Sequence, residues 1–373
     1  MTLRLIANIG AEDSGHVSEP ARRAVAGLRG LWARLHGEGE LHDALGHPEP
    51  WPAPSSFLAE GPAWTWLDGE GARAWLPTPE AAALAVERGW TLTGPAPELI
   101  AVVHRRDHAL TLQRELETET DELEGLAELI VGERWRRTAR EAIAERLAAW
   151  PAWARRRAVL KPLWSTSGRR QVLLEDGDVA NRYLQRLQAY SPDGAVIEPW
   201  LERSSDLSVQ LVVHESGSVE VLGTTDQIVR RSGASLGNRG LLDELPRCRN
   251  GSHHETLVAL AERVGARLSE QGFRGPAGID ALTWKAPDGR EKLRPLVELN
   301  ARYTTGTVAL GLLALLTRRS RDEVRHWAFT LQGPEQQWSE RARGADVALH
   351  LLDDRGAALV TARDERELDR VLP

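Results

Sequence analysis

A chain of 373 residues is too long for one small core and suits two or three subdomains. Its 42% hydrophobic and 27% charged residues are ordinary for a globular protein, and a formal net charge of −7 argues against a nucleic-acid binder that works by neutralising phosphates. The single cysteine, Cys248, excludes an intrachain disulfide, and no Cys/His group has zinc spacing.

The chain opens on an apolar strand, Leu3–Ile9, followed at once by acidic residues. That run is too short for a signal peptide or a membrane span, so the reading is cytoplasmic and without a membrane partner. An amphipathic helix is expected over Glu19–Leu35, then a loop-rich stretch with HPEPWPAP at 47–54, a second helix over Glu80–Arg88 and a further apolar run, Leu99–Val103. Strands alternating with helices predict a small α/β layer. Its tryptophans (Trp51, Trp64, Trp66, Trp75 and Trp90) read as irregular core filling, with a ligand surface as the alternative.

Residues from about Asp107 to Trp150 are expected to be helical, ending at PAW. A β-rich unit follows: Ala158–Leu160 leads into KPLWSTSGRR, then a helix over Val179–Gln188 and the strand VIEPWL. LSVQLVVHESGSVEVLG reads as a hairpin turning at Glu215-Ser216-Gly217. Ser252–Gln271 is predicted helical, with a capping box of Ser252 and Glu255 and Gly272 just past its end; His253 and His254, at its start, read as solvent-facing. A hairpin spans Gly278–Asn300, helices cover Gly306–Leu316 and Arg321–Leu331, and the tail folds back at Asp353–Gly356. LGLLALL at 310–316 is a buried helix segment, too short to span a membrane.

The hairpin carries the first chemistry. If its turn centres on Gly289, Asp280 falls opposite Glu298, with Asn300 further along the same face and Ile279, Val297 and Leu299 on the other. Opposed carboxylates repel unless neutralised. A hard divalent cation that keeps positions open for phosphate oxygens would resolve the conflict; a solvated face balanced by arginines would do so as well. A bulge in the turn would break this register.

Lysine is scarce, since Lys161, Lys285 and Lys292 are the only lysines among 47 basic residues. Pro162 disfavours helix at Lys161, which places that lysine at a strand end. The loop Ser165-Thr166-Ser167-Gly168-Arg169 after it offers hydroxyls, backbone N–H groups and a guanidinium suited to phosphates, without Walker A spacing. The stretch VIEPWLERSSD could line an adenine slot or be an ordinary crossover between strands.

Taken in order, AVLKPLWSTSGR, VIEPWL with the following Asp206, GPAGIDAL and VELNAR resemble the ATP-grasp superfamily of carboxylate–amine ligases, over roughly residues 105–330. The resemblance implies an α+β fold in which two subdomains sandwich ATP, preceded by a small α/β pre-ATP-grasp domain. The corresponding segments are 1–105, 106–197 (helical linker and phosphate loop) and 198–373 (metal-binding and C-terminal hairpins). It further implies that Lys161 contacts the nucleotide phosphates while Ser165, Ser167, Gly168 and Arg169 close over them. Glu198 with the backbone at Trp200 and Leu201 would meet adenine, and Asp206 the ribose. Asp280, Glu298 and Asn300 would ligate one or two Mg²⁺ (or Mn²⁺), and Arg302 would stabilise the transferring phosphoryl group.

One departure stands out: no lysine precedes Lys161, so Arg105, Arg106, Arg134 or Arg136 would have to replace the usual earlier phosphate-binding lysine. The implied activity is amide or peptide bond formation from small-molecule carboxylate and amine substrates, an amino acid or peptide among them, with a homodimer as the default assembly. A small-molecule kinase and a non-catalytic ATP-binding protein on the same fold are the alternatives. Substrate specificity is expected in the N-terminal domain and in 224–240, where Arg230, Arg231 and Arg239 could hold an anion or simply face solvent.

Overall fold

Parallel strands need a crossover, and the N-terminal layer supplies one. In the computed structural model β1 (Leu3–Ala7) pairs in parallel with β2 (Glu40–Asp43) through the helix Glu19–Arg34. With β3 (Pro48–Glu49) and β4 (Gly71–Ala74) the sheet runs β3-β2-β1-β4. β1 is buried along most of its length, as a strand paired on both edges should be. The structure describes residues 2–11, 19–118, 120–165, 170–175, 180–229, 235–319, 325–331, 335–353 and 356–372. The apolar run at 99–103 belongs to a helix, Pro97–Val103, which proline opens in its preferred first-turn position.

Two compact units divide the chain. The first comprises residues 1–101, 207–279 and 300–373; the second comprises 102–206 and 280–299. Residues 280–299 group with 102–206 in the second unit.

The second unit has its own antiparallel sheet of β5 (Glu128–Val131), β6 (Arg157–Pro162), β7 (Val172–Glu175) and β8 (Gly194–Pro199), in the order β5-β8-β6-β7. β5 corrects the expectation of an unbroken helical region from Asp107 to Trp150. The tetrapeptide ELIV has an available edge on β8, and that pairing outweighs the helical character of its flanks. Ala158 and Leu160 of β6, Ala195 and Ile197 of β8 and Leu174 of β7 point into one core with Trp135, Trp150 and Trp284.

The large sheet is built from β9 (Arg203–Val213), β10 (Val219–Val229), β11 (Ser235–Leu242), β12 (Pro246–Arg247), β13 (Gly275–Lys285), β14 (Glu291–Asn300), β15 (His326–Thr330), β16 (Val347–Leu351) and β17 (Ala358–Ala362). Its order is β14-β13-β9-β10-β11-β15-β17-β16, with β12 on β11. The β9/β10 hairpin turns where its sequence predicts, with Gly217 N–H on the His214 carbonyl and a positive φ of 86° at Gly217. β15 replaces the helix expected over 321–331. HWAFT is almost wholly buried and pairs with both β11 and β17, so tertiary pairing overrides local helical preference; residues 320–324 lie outside the described residues.

The helix Gly251–Glu270 is capped by Asn250, not Ser252: the Asn250 side chain accepts from the amides of Ser252 and His253, and the Ser252 hydroxyl is spent on the same oxygen. His254 is not solvent-facing, since its Nδ1 lies 2.8 Å from Thr224 Oγ1. The helix Thr305–Thr317 is buried through most of its length, and no described helix is long and apolar enough to cross a membrane.

Candidate functional site

Strand alternation puts the key side chains of the second unit on one face. β6 and β8 pair Val159 with Glu198 and Lys161 with Val196, so Lys161 and Glu198 are diagonal neighbours on the face turned away from the Ala158/Leu160/Ile197 core. Lys161 Nζ forms an ion pair with Glu198 Oε1, and Arg294 Nη2 from β14 lies 3.0 Å from Glu198 Oε2. All three side chains are buried. Burial alone would raise the Glu198 carboxyl, yet Arg294 and Lys161 together hold it down at about 2. Burial lowers the Lys161 ammonium, a shift that Glu198 opposes and the charges of Arg294 and Arg106 reinforce. Arg294 had a signal in the sequence: it alternates with Leu296 and Glu298 along β14, but only the fold shows what faces it.

Arg106, first residue of the helix Arg106–Glu115, joins this cluster to the strand end. Nη1 donates to the Pro162 carbonyl at 2.7 Å and to Ser165 Oγ at 2.8 Å, and Nη2 to Glu298 Oε1 at 3.0 Å. Its backbone N–H donates to the Leu163 carbonyl, which fixes the helix start against β6. The other arginines considered for the missing lysine are placed elsewhere. Arg105 pairs with Asp107, Arg134 with Glu145, and Arg136 is exposed. Of the four, Arg106 alone bonds to Ser165, at the start of the expected phosphate loop, among the described residues. Of that loop, Ser165 is buried; Ser167, Gly168 and Arg169 lie outside the described residues.

The expected adenine edge is divided. The Trp200 amide donates to the Arg157 carbonyl and is committed to the sheet. Leu201 is buried, and its amide has no hydrogen-bond partner among the described residues, which leaves one backbone donor at the end of β8. Asp206 forms an ion pair with Arg203 at 2.9 Å, and the Arg203 guanidinium lies over the Trp200 ring.

The hairpin turn differs from the one its sequence suggests. Ala286 N–H donates to the Arg290 carbonyl and Gly289 N–H to the Ala286 carbonyl, with φ of 80° at Gly289. This is a three-residue loop with a glycine bulge, and it centres on Asp288, one residue before the expected Gly289. Val297 packs against the cluster that holds Leu282 and Trp284.

The donor chemistry of the three residues still suits a hard cation: two carboxylates and an amide oxygen, with Mg²⁺ ordinarily completing its shell from phosphate and water. Among the described residues no three His, Cys, Asp or Glu side chains cluster as a metal site by themselves. Asp280 is partly buried, and Glu298 keeps 17% of its side chain accessible beside Arg106. Asn300, in the first unit, accepts from Arg302 Nη2 at 3.1 Å, while Arg302 Nη1 donates to the Tyr303 carbonyl. Arg239 is engaged by Glu365 and Asp369 and so does not stand ready for an anion; Arg230 and Arg231 lie outside the described residues.

No family model and no curated protein sequence matches the chain. Solved structures do. Carboxyaminoimidazole ribonucleotide synthase from Aspergillus clavatus, complexed with ATP, shares 13% identity over 99% of this chain and 98% of its own, at a TM-score of 0.55. The biotin carboxylase domain of Hydrogenobacter thermophilus 2-oxoglutarate carboxylase, in complex with MgADP, ADP and bicarbonate, shares 13% over 99% and 88%, at 0.57. D-alanyl-alanine synthetase A from Vibrio cholerae shares 12% over 86% and 94%, at 0.53. The architecture is mixed α+β, with helices packed on several separate sheets. It is the ATP-grasp fold.

Proposed function

We propose that the protein is a Mg²⁺-dependent ATP-grasp ligase that joins a carboxylate to an amine, an amino acid or peptide among its substrates. The reading rests on Arg106, whose guanidinium ties Glu298 to Ser165 and Pro162 beside the buried Lys161. Cationic groups and a carboxylate converge where a triphosphate with its metal would need them. Lys161 and Arg106 bind phosphate oxygens, and the Leu201 amide meets the adenine edge. Asp280, Glu298 and Asn300 would hold Mg²⁺, which would neutralise phosphate charge.

The reaction has two steps. A substrate carboxylate oxygen attacks the γ-phosphorus, the bond to the β–γ bridging oxygen breaks, and ADP leaves with an acyl phosphate formed. The amine nitrogen then attacks the acyl carbon, the C–O bond to phosphate breaks, and the nitrogen loses its proton as the amide forms. Arg302 steadies the negative charge on the transferring group. The protein contributes positioning and charge neutralisation, with no covalent enzyme intermediate.

ADP release measured with panels of carboxylates and amines tests this reading. Activity that needs both substrates and falls at least about a hundredfold in Glu298→Ala is the expected result; activity unchanged by that substitution would sink it. A non-catalytic ATP-binding protein is the second reading, favoured by the ion pair that Arg106 already makes with Glu298. ATP binding without turnover on any panel would select it.

A further inference from the structure

A cavity of about 760 Å³ lies wholly within the first unit, and its lining includes the rings of Trp66, Trp75 and Tyr303 and the side chains of Arg73, Arg274 and Arg302. From it we infer the substrate class: the acid that is activated carries a flat aromatic or conjugated group, and this cavity binds it. The inference rests on the ligase reading for the word "activated" but not for the binding.

The apolar side is a wall of rings held from behind. Tyr303 stacks on Trp66 (24°, centroids 6.3 Å apart) and is tilted against Trp75 (32°, 6.0 Å). Trp64 stacks on Trp66 at 14°, and buried Trp32 meets both Trp75 and Tyr303 edge-on. Rings braced in this way cannot collapse to fill the space, and they match a planar ligand better than a branched aliphatic one. A volume of this size suits a small organic molecule.

The polar side carries uncompensated positive charge. Arg73 donates to the carbonyls of Trp66 and Asp68, at 3.0 and 3.1 Å. Arg274 donates to the carbonyls of Glu215, Ser269 and Phe273. Neutral carbonyls fix both guanidinium groups without cancelling their charge, and neither forms an ion pair among the described residues. Asp68 and Glu215 also line the cavity, but both are exposed at its edge. Arg302, which donates to Asn300, marks the end where a carboxylate would approach a residue proposed to hold metal. An anion with an aromatic body is the ligand that matches both the rings and the guanidinium groups of this lining.

Tryptophan fluorescence and calorimetry on the full chain without nucleotide test the inference. The probes are indole-3-acetate and phenylacetate, their primary amides, tryptamine, acetate and inorganic phosphate. Both aryl acids should bind saturably, with the amides, tryptamine, acetate and phosphate at least about tenfold weaker, as loss of a charged hydrogen bond predicts. Arg274→Gln should weaken the aryl acids by a similar factor. Ser218→Trp, an exposed substitution on the cavity lining, should block them while the protein melts as a folded chain. Amides or tryptamine binding as tightly as the acids, or binding unchanged by Ser218→Trp, would overturn the assignment. Aryl acids that bind yet release no ADP with MgATP and any amine would leave the cavity assigned and remove the ligase reading. ADP release with acetate but no aryl-acid binding would do the reverse.

Discussion

Arg106 satisfies three acceptors that come from a strand end, a loop and a second strand, and a lysine could not do the same. An ammonium can reach one or two of these oxygens, whereas the planar fork spans Pro162, Ser165 and Glu298 at once. Arg106→Lys should therefore keep the charge yet lower ATP affinity by about tenfold, read by titration with MgATP. Glu198 is the counterpart on the acidic side. Its carboxyl, held at about 2 by two buried cations, contributes stability that is present above the unfolded value near 4.5 and lost as pH falls from there through about 2. Glu198→Gln should cost about 3 kcal/mol at pH 7, because it leaves Lys161 and Arg294 without their anion. It should also flatten the acid branch of the stability curve. Urea midpoints at pH 7 and pH 3 check both points.

At the scale of elements, strand pairing decided what local sequence left open. HWAFT and ELIV are short apolar runs, which periodicity cannot assign between strand and helix, and each became a strand because a neighbour offered an unpaired edge. β11 and β15 approach so closely that a Cβ on Gly237 would meet the Phe329 carbonyl and lie 2.9 Å from Thr330 Cα. Gly237→Ala should destabilise the first unit by about 1–3 kcal/mol, visible as a lower melting temperature. The Gly289 turn shows the same limit from the other direction. Its sequence marks a hairpin correctly, but the centre of the loop at Asp288 and its glycine bulge appear only in the hydrogen bonds of Ala286.

At the scale of the whole molecule, the fold is ATP-grasp, and the proposed site predicts linkage between nucleotide and stability. MgATP at about a hundred times its dissociation constant should add about 2.7 kcal/mol to unfolding, read as a rise in melting temperature. The rise should shrink sharply in Lys161→Met. If Lys161→Met shows the same rise as the parent, the nucleotide does not bind against β6.

The order of short motifs along the chain, by its resemblance to the ATP-grasp superfamily, was enough to identify the fold class. The sequence also narrowed the replacement for the missing lysine to four arginines. What distinguishes Arg106 among them is contact with Pro162, Ser165 and Glu298, far apart in the chain, which only the tertiary structure shows. The same holds for Arg294 on Glu198 and for the ring-lined cavity, whose walls come from five separate stretches of sequence. Charge and hydrogen-bond partners at long range are set by packing, and no local pattern encodes them.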